Sequence, residues 1–436
     1  MSSVLVGSSA APVAWLIFAV AAGGARAQSP PPPSPPPQAF PVQVELVKLE
    51  ITVLDGRNRP VLGLRSEDFI VLEDGVPQEI ASFEAIEPPG DPSAVPVAGV
   101  DESTAAPRPG TSGTALLPPW TYVIFVDDLH LTPPQSTDVR KAVTAFLDAA
   151  PSGARIVLIA SGARIVEDRV LPEGRDSLRQ RAESVRGSLE TGRMDELLSD
   201  QEAYDIYVRR DAVVEEAVVR RLMRFERPDD VADRDPFGEQ RSAALRMVLE
   251  VRARAGKRYE AMRRRTQVTL GVLRNALDWL SRVKGRRSVV LASRGFLYDP
   301  AVAEFEDVLR ASLRANVAIS FLDARGLRSR SPFESAEYGP ALDVEGTAQA
   351  VASEWADTAG AESLAFNSGG MIIRNANDLT AGLRKITDAQ HAYYVLGFQS
   401  SNPQRDGRFR RLRVRLRDKG AGRTVLGRRG YYAPRD

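Results

Sequence analysis

The sequence predicts an α/β protein: a parallel sheet covered by helices on both faces, interrupted by a helical hairpin and flanked by small β elements. Three observations carry this reading. Short apolar runs such as TYVIFVDD at 121–128 and ARIVLIASG at 154–162 read as strands buried on both faces. Amphipathic helical stretches alternate with them. Turn-rich segments with alternating apolar residues lie at both ends of this series.

Taken from the start, the chain opens with APVAWLIFAVAA (Ala11 to Ala22), an apolar run of the length of a signal h-region, although no Lys or Arg precedes it. Ala25-Arg26-Ala27 before Gln28 fits the small-x-small cleavage rule, so residues 1–27 are expected to be a signal peptide. The run is shorter than the roughly 20 residues of a membrane span. A secreted or periplasmic mature protein with no later transmembrane segment follows. Residues 28–41 are proline-rich and read as a polyproline II spacer.

Residues 42–86 carry short strands. Leu49, Ile51 and Val53 alternate as inward sides, and Asp74-Gly75 sits between two strand-like runs as a hairpin turn. A small β-sandwich-like domain is expected there. Residues 87–119 are rich in Pro, Gly, Ser and Ala and read as a disordered linker.

The α/β series spans 120–392. After TYVIFVDD comes the helix QSTDVRKAVTAFLDAA, with Val139, Val143, Phe146 and Leu147 on one face. ARIVLIASG and ARIVEDRVL are the next strands, followed later by RRSVVLASRGF, the helix EFEDVLRASLRA and the strand NVAISFLDARGL. GGMIIRN and the helix ANDLTAGLRKITDAQ close the series. At about 195–265 a helical insertion interrupts it. Ile206, Val213, Val214, Val218, Leu222 and Phe225 follow helical spacing, as do Leu245, Val248, Leu249, Tyr259 and Met262, continuing through Leu280. Two arms that bury one another are expected. Residues 393–436 return to strands, with Arg411, Arg413, Arg415 and Arg417 alternating with Leu412, Val414 and Leu416. This gives one cationic and one apolar face.

Composition removes several function classes. Cysteine is absent, which excludes disulfides, thiolate zinc sites, cysteine nucleophiles and a lipoprotein anchor. The chain has two histidines, His130 and His391, too few for a multi-histidine metal site. Lys+Arg 58 against Asp+Glu 57 leaves no overall bias toward polyanions.

Together and in this order, GLRSEDFIVLEDGVPQEIASFE, YVIFVDD, GRRSVVLASRGF, ISFLDARGL, SGGMIIRNANDLTAGLRKITDAQHAYYVLGF, DGRFRRLRVRLRD and RRGYYAP resemble exported bacterial proteins with a von Willebrand factor A-related domain, abundant in Acidobacteria. The resemblance covers most of the mature chain. It implies a Rossmann-like, doubly wound sheet and an adhesion or protein-binding role toward a protein or surface partner. It also implies a metal-ion-dependent adhesion site, Asp-x-Ser-x-Ser at the end of the first strand, where hard oxygen ligands hold Mg²⁺. Aligned on Asp127, this chain reads Asp127-Asp128-Leu129-His130-Leu131, with leucine for both serines. Shifted by one residue, the motif recovers only Thr132. The degraded site therefore leaves Asp127, Asp128 and Thr132 as candidate metal ligands, no cofactor as the primary expectation, and Mg²⁺ as the ion if one binds. Arg294, at the end of the strand SVVLAS, is the candidate substitute for the cation, its guanidinium pairing with Asp127 or Asp128.

These residues bear on three functions. A non-catalytic binding module fits best. A hydrolase would use Asp127, Asp128 and His130, but no nucleophile elbow surrounds Ser293. Nucleic-acid binding through the C-terminal arginines is disfavoured, because their alternation with apolar residues describes a solvated strand face.

Overall fold

The computed structural model describes residues 46–86, 120–190, 197–226, 239–326, 352–353, 355–418 and 422–435. The signal-peptide, proline-spacer and linker expectations for 1–27, 28–41 and 87–119 lie outside the described residues.

A six-stranded sheet forms the centre of a mixed α/β fold. Its strands are β5 (Thr121–Val126), β6 (Arg155–Ala160), β7 (Ile165–Val170), β8 (Arg287–Ser293), β9 (Ala318–Asp323) and β10 (Ile372–Ile373). Their order is β10-β9-β8-β5-β6-β7. All neighbours pair parallel except β6 and β7, which form an antiparallel hairpin at the edge. β7 is therefore an edge strand with Val166 and Val170 exposed, and GGMIIRN contributes only the short β10.

Both faces of β5 are buried, as its unbroken apolar run requires. Tyr122, Ile124 and Val126 pack under α1 (Pro133–Ala149) and α2 (Arg175–Ser184). Val123 and Phe125 face the opposite way, toward Leu270, Leu273 and Leu277. Those leucines belong to a helix spanning Glu239–Leu280, the fifth α-helix among the described residues. Before it come α3 (Asp200–Tyr204) and α4 (Ala212–Glu226). After it come α6 (Glu304–Ala315), α7 (Ala359–Ser368) and α8 (Leu379–Asp388). We call the long helix α5.

At 1.5 Å rise per residue, α5 is about 63 Å long. Its two halves do different things. The first pairs with α4 around Val218, Leu222, Val251 and Ala255, so the expected hairpin forms and its arms bury each other. The second half covers the sheet. Val213, Leu245 and Leu249 lie outside the buried stripe, at 65%, 62% and 58% exposure. The helical spacing includes them, but the seam between two helices is narrower than the apolar stripe in the sequence. At the base of the hairpin, Arg221 donates two hydrogen bonds to the Glu202 carboxylate, at 3.0 and 2.8 Å, and one to the Leu197 carbonyl. Glu202 also accepts from the Ser199 N–H, completing the N-terminal cap of α3.

The expectation of a separate β-domain at 42–86 is corrected. β1 (Val47–Leu54), β2 (Phe69–Glu73), β3 (Val76–Gln78) and β4 (Ile80–Ile86) pair with β11 (Tyr393–Phe398), β12 (Phe409–Leu416), β13 (Thr424–Leu426) and β14 (Gly430–Tyr432). The two sheets run β13-β1-β11-β4 and β14-β12-β2-β3. Neither end of the chain supplies enough strands to close a core, so the two ends share one. Leu49, Ile51, Val53, Phe69 and Val71 pack with Tyr394, Leu396, Phe398, Leu412 and Leu416. The Asp74-Gly75 hairpin is present, with both residues at positive φ, as a two-residue β-turn requires. On β12, Arg411, Arg413 and Arg415 are exposed and Leu412 and Leu416 buried, with Val414 half-buried. Arg410 joins the inner face by donating to Asp406 at 3.0 Å.

Candidate functional site

β5 lies between β6 and β8, and the chain leaves it in opposite directions to reach them. Its carboxyl end is thus the switch point of the sheet, where open α/β folds form a crevice. Register fixes what meets there. Val126 is level with Ala160 on one side and Ala292 on the other. Asp127 and Asp128 therefore emerge beside Ser293 and Ser161.

Asp127 is fully buried and accepts from three side chains. Ser293 Oγ donates to Oδ2 at 2.7 Å, and Thr269 Oγ1 donates to Oδ1 at 2.7 Å. His130 Nδ1 stands 3.0 Å from Oδ1 and 2.9 Å from Oδ2. A hydrogen on Nδ1 serves the carboxylate, and Nε2 stands 3.4 Å from Thr266 Oγ1. Burial pushes the Asp127 carboxyl up, but His130 and the two hydroxyls outweigh it and hold the group below its ordinary value. Ser293 Oγ in turn accepts from the Gly295 N–H at 2.9 Å. Gly295 adopts φ +94°, and a Cβ there would come within 2.8 Å of Thr358; glycine allows both the turn and the approach.

Asp128 is held by the other neighbour. The Gly162 and Ala163 N–H groups each donate to it at 2.7 Å, and Ser161 Oγ donates at 3.2 Å. Gly162 permits this approach, since a Cβ would lie 2.9 Å from Asp128 Oδ2 and 2.7 Å from the Leu129 side chain.

The structure thus joins Asp127 to His130 and separates Asp127 from Asp128 by function. The two carboxylates do not converge on one ion. Each is spent on protein donors, and Thr132 instead caps α1, its N–H donating to Gln135 Oε1 at 3.0 Å. The set Asp127, Asp128 and Thr132 does not fit Mg²⁺. Among the described residues no group of three or more His, Cys, Asp or Glu is placed to hold a metal ion.

Arg294 is also corrected. It follows Ser293, but the donors on Asp127 and Asp128 are other groups, and the charge of Arg294 lowers Asp200 and Asp357. Asp127 and Asp128 are held by hydrogen bonds from hydroxyls, backbone amides and an imidazole, so no guanidinium is needed. Around Arg294 lies a second charged group. Arg258 Nε donates to Asp200 Oδ1 at 2.6 Å. Burial raises the Asp200 carboxyl, yet Arg258, Arg265 and Arg294 together hold it low. Asp357 has the opposite outcome: burial and the neighbouring Asp200 push it up to about 7. On the adjacent strand end, Arg325 forks onto Asp323.

Thr266 and Thr269 were the residues missed from sequence. The available signal was position: both interrupt the apolar stripe Met262, Leu270, Leu273 on one face of α5. A hydroxyl in a buried stripe needs a partner, and the strand-end acids are that partner.

No protein-family model matches the chain, and no curated protein matches it. Among solved structures it is similar to the N-terminal domain of TFIIH p34, at 14% identity and a TM-score of 0.24 over 62% of this chain and 96% of that one. Among the described residues, no helix is long and apolar enough to cross a membrane.

Proposed function

We propose that the protein is an exported, non-catalytic binding module of the von Willebrand A type, secreted or periplasmic. It would recognise a protein or cell-surface partner through the loops at the carboxyl ends of β5, β8 and β9. The observation that carries this reading is the closure of the strand-end network. Asp127, His130, Thr266, Thr269 and Ser293 are all less than 5% exposed, and every polar side chain among them bonds another. A general acid or base must reach substrate, and these groups reach only one another. The hydrolase alternative on Asp127, Asp128 and His130 is therefore not retained. The degraded adhesion motif becomes a structural lock, and the charged group of Arg258, Arg265, Arg294, Asp200 and Asp357 is left as the recognition chemistry at that edge.

The test has two arms. Purified mature protein should show no turnover of generic ester or phosphate monoester substrates. Incubated with envelope extract, it should retain a discrete partner, and Arg294→Ala should retain less of it. Turnover that disappears in Asp127→Asn would overturn the proposal.

A further inference from the structure

The amino-terminal edge of the same sheet holds a different feature. A cavity of about 50 Å³ lies where the starts of β8 and β9 meet the β-sandwich. Its charged lining is Arg286, Arg287, Arg428 and Glu50. Three guanidiniums against one carboxylate leave two positive charges.

The polar atoms there are unsatisfied to an unusual degree. Ser288 Oγ, Gln390 Oε1 and the Nε atoms of Arg286, Arg287 and Arg428 are buried with no hydrogen-bond partner. Ser288 is 2% exposed and Gln390 9%. Orphaned buried groups of this kind are costly, and a protein that retains them uses them. The remaining guanidinium contacts fix the geometry without filling it. Arg287 donates from Nη1 to the Leu280 and Val283 carbonyls at 3.0 and 2.8 Å. Arg428 donates from Nη2 to the Lys48 carbonyl at 2.6 Å. Glu50 is already engaged by Arg286 and by Asn316 Nδ2 at 2.7 Å, so its charge is answered locally. Arg286 also stacks on Tyr393, its guanidinium carbon 3.7 Å from the ring centroid.

We infer that this cavity binds a small tetrahedral oxyanion, of the inorganic phosphate or sulfate class, between the sheet and the sandwich. The unpartnered donors Arg286 Nε and Ser288 Oγ, which share one face at the start of β8, and Arg428 Nε come from both layers, so the ion bridges them, while Arg287, whose side chain alternates to the other face, adds charge from the cavity wall. A water needs roughly 10–15 Å³ of such space, so the volume admits a polyatomic ion. Charge agrees: a dianion cancels the surplus of two. Burial pushes Arg286 down to about 10 and lowers Arg287 and Arg428 as well, the direction that desolvation gives a cation. Gln390 fits with its amide turned so that the NH₂ faces the ion, an orientation that oxygen and nitrogen share sterically. The inference is independent of the proposed function, because the site lies at the opposite edge of the sheet.

The experiment is thermal melting and calorimetry of the mature chain with inorganic phosphate or sulfate, against chloride at matched ionic strength. Phosphate or sulfate should raise the melting temperature saturably, and chloride should not. Ser288→Ala should leave the unliganded melting temperature unchanged, since the hydroxyl has no partner to lose. It should weaken the oxyanion about tenfold, one charge-assisted hydrogen bond. Arg428→Lys, which keeps the charge but loses the Nε donor, should also weaken it, and Arg413→Ser, on the exposed face of β12, should respond as the parent does. A response equal for all salts would mean a water-filled seam and overturn the inference. So would an oxyanion response undiminished in both Ser288→Ala and Arg428→Lys.

Discussion

Thr269→Val removes one hydroxyl from the strand-end lock and keeps the β-branched shape. Asp127 has no solvent exposure and takes a 2.7 Å bond from Thr269 Oγ1. A hydrogen bond to an ionised group contributes about 1.5–3 kcal/mol net. His130 Nδ1 and Ser293 Oγ remain on the carboxylate, so the charge is not orphaned and the loss falls at about 2 kcal/mol. Asp127→Asn costs more, about 3 kcal/mol or above, because the remaining donors face a neutral amide. Since the two side chains touch, the double variant should show a coupling of about 1–2 kcal/mol. Urea unfolding followed by circular dichroism measures all three, each in EDTA and in millimolar Mg²⁺, with no difference expected between the two. The pH dependence has a definite sign. Asp127 is held below its ordinary value in the folded state, so its contribution is present above the unfolded pKa and lost as pH falls through the folded one. The Thr269→Val deficit should therefore be full at neutral pH and shrink in acid. A variant within about 0.5 kcal/mol of the parent, or a parent stabilised by Mg²⁺, would refute the reasoning.

The remaining predictions test other parts of the molecule. Leu412→Asp puts a charge into the sandwich core and should cost at least about 3 kcal/mol, whereas Arg413→Ser on the exposed face should stay within about 0.5 kcal/mol; equal losses in denaturant would break the alternation on β12. Asp357 is pushed up to about 7, so its contribution is complete below the unfolded carboxylate pKa and is lost as pH rises toward 7; Asp357→Asn should match the parent at pH 4 and exceed it at pH 8 in melting temperature. Arg221→Ala leaves Glu202 buried without its fork and should cost about 3–5 kcal/mol, read by denaturant unfolding, and a near-neutral result would remove the ion pair from the account of the hairpin. N-terminal sequencing of protein recovered from the envelope or medium should begin at Gln28, and an intact Met1 in a membrane fraction would make the leader an anchor.

The strands of the central sheet were legible because burial on both faces leaves an unbroken apolar run, as in β5, β6 and β8. Asp127 and Asp128 were legible as an anomaly, two acids closing such a run. Their partners were not, because Thr266 and Thr269 lie over 130 residues away in the chain, and spacing along one helix says nothing of what faces it. Arg294 was misassigned for a related reason: position at a strand end predicts proximity but not which neighbour has unmet charge. The edge role of β7 was obscured because ARIVEDRVL keeps enough apolar residues to pass for an interior strand. The shared sandwich was invisible locally, since each terminal half shows ordinary strand periodicity and nothing in that periodicity says that it lacks half its sheet.

That shared sandwich sets an order of events during synthesis. Tyr394 donates to the carbonyl of Val61, 333 residues earlier, and β11 sits between β1 and β4. Until the last segment leaves the ribosome, β1 and β4 have no strand between them, and their apolar sides lack the half of the core that Tyr394, Leu396, Phe398, Leu412 and Leu416 supply. Pairings of such long separation are slow to form, and an open strand edge invites another chain in the interval. The protein must therefore keep its first folded-to-be strands waiting for its last, so a nascent chain stalled before residue 393 should aggregate through its amino-terminal strands even with the central sheet complete.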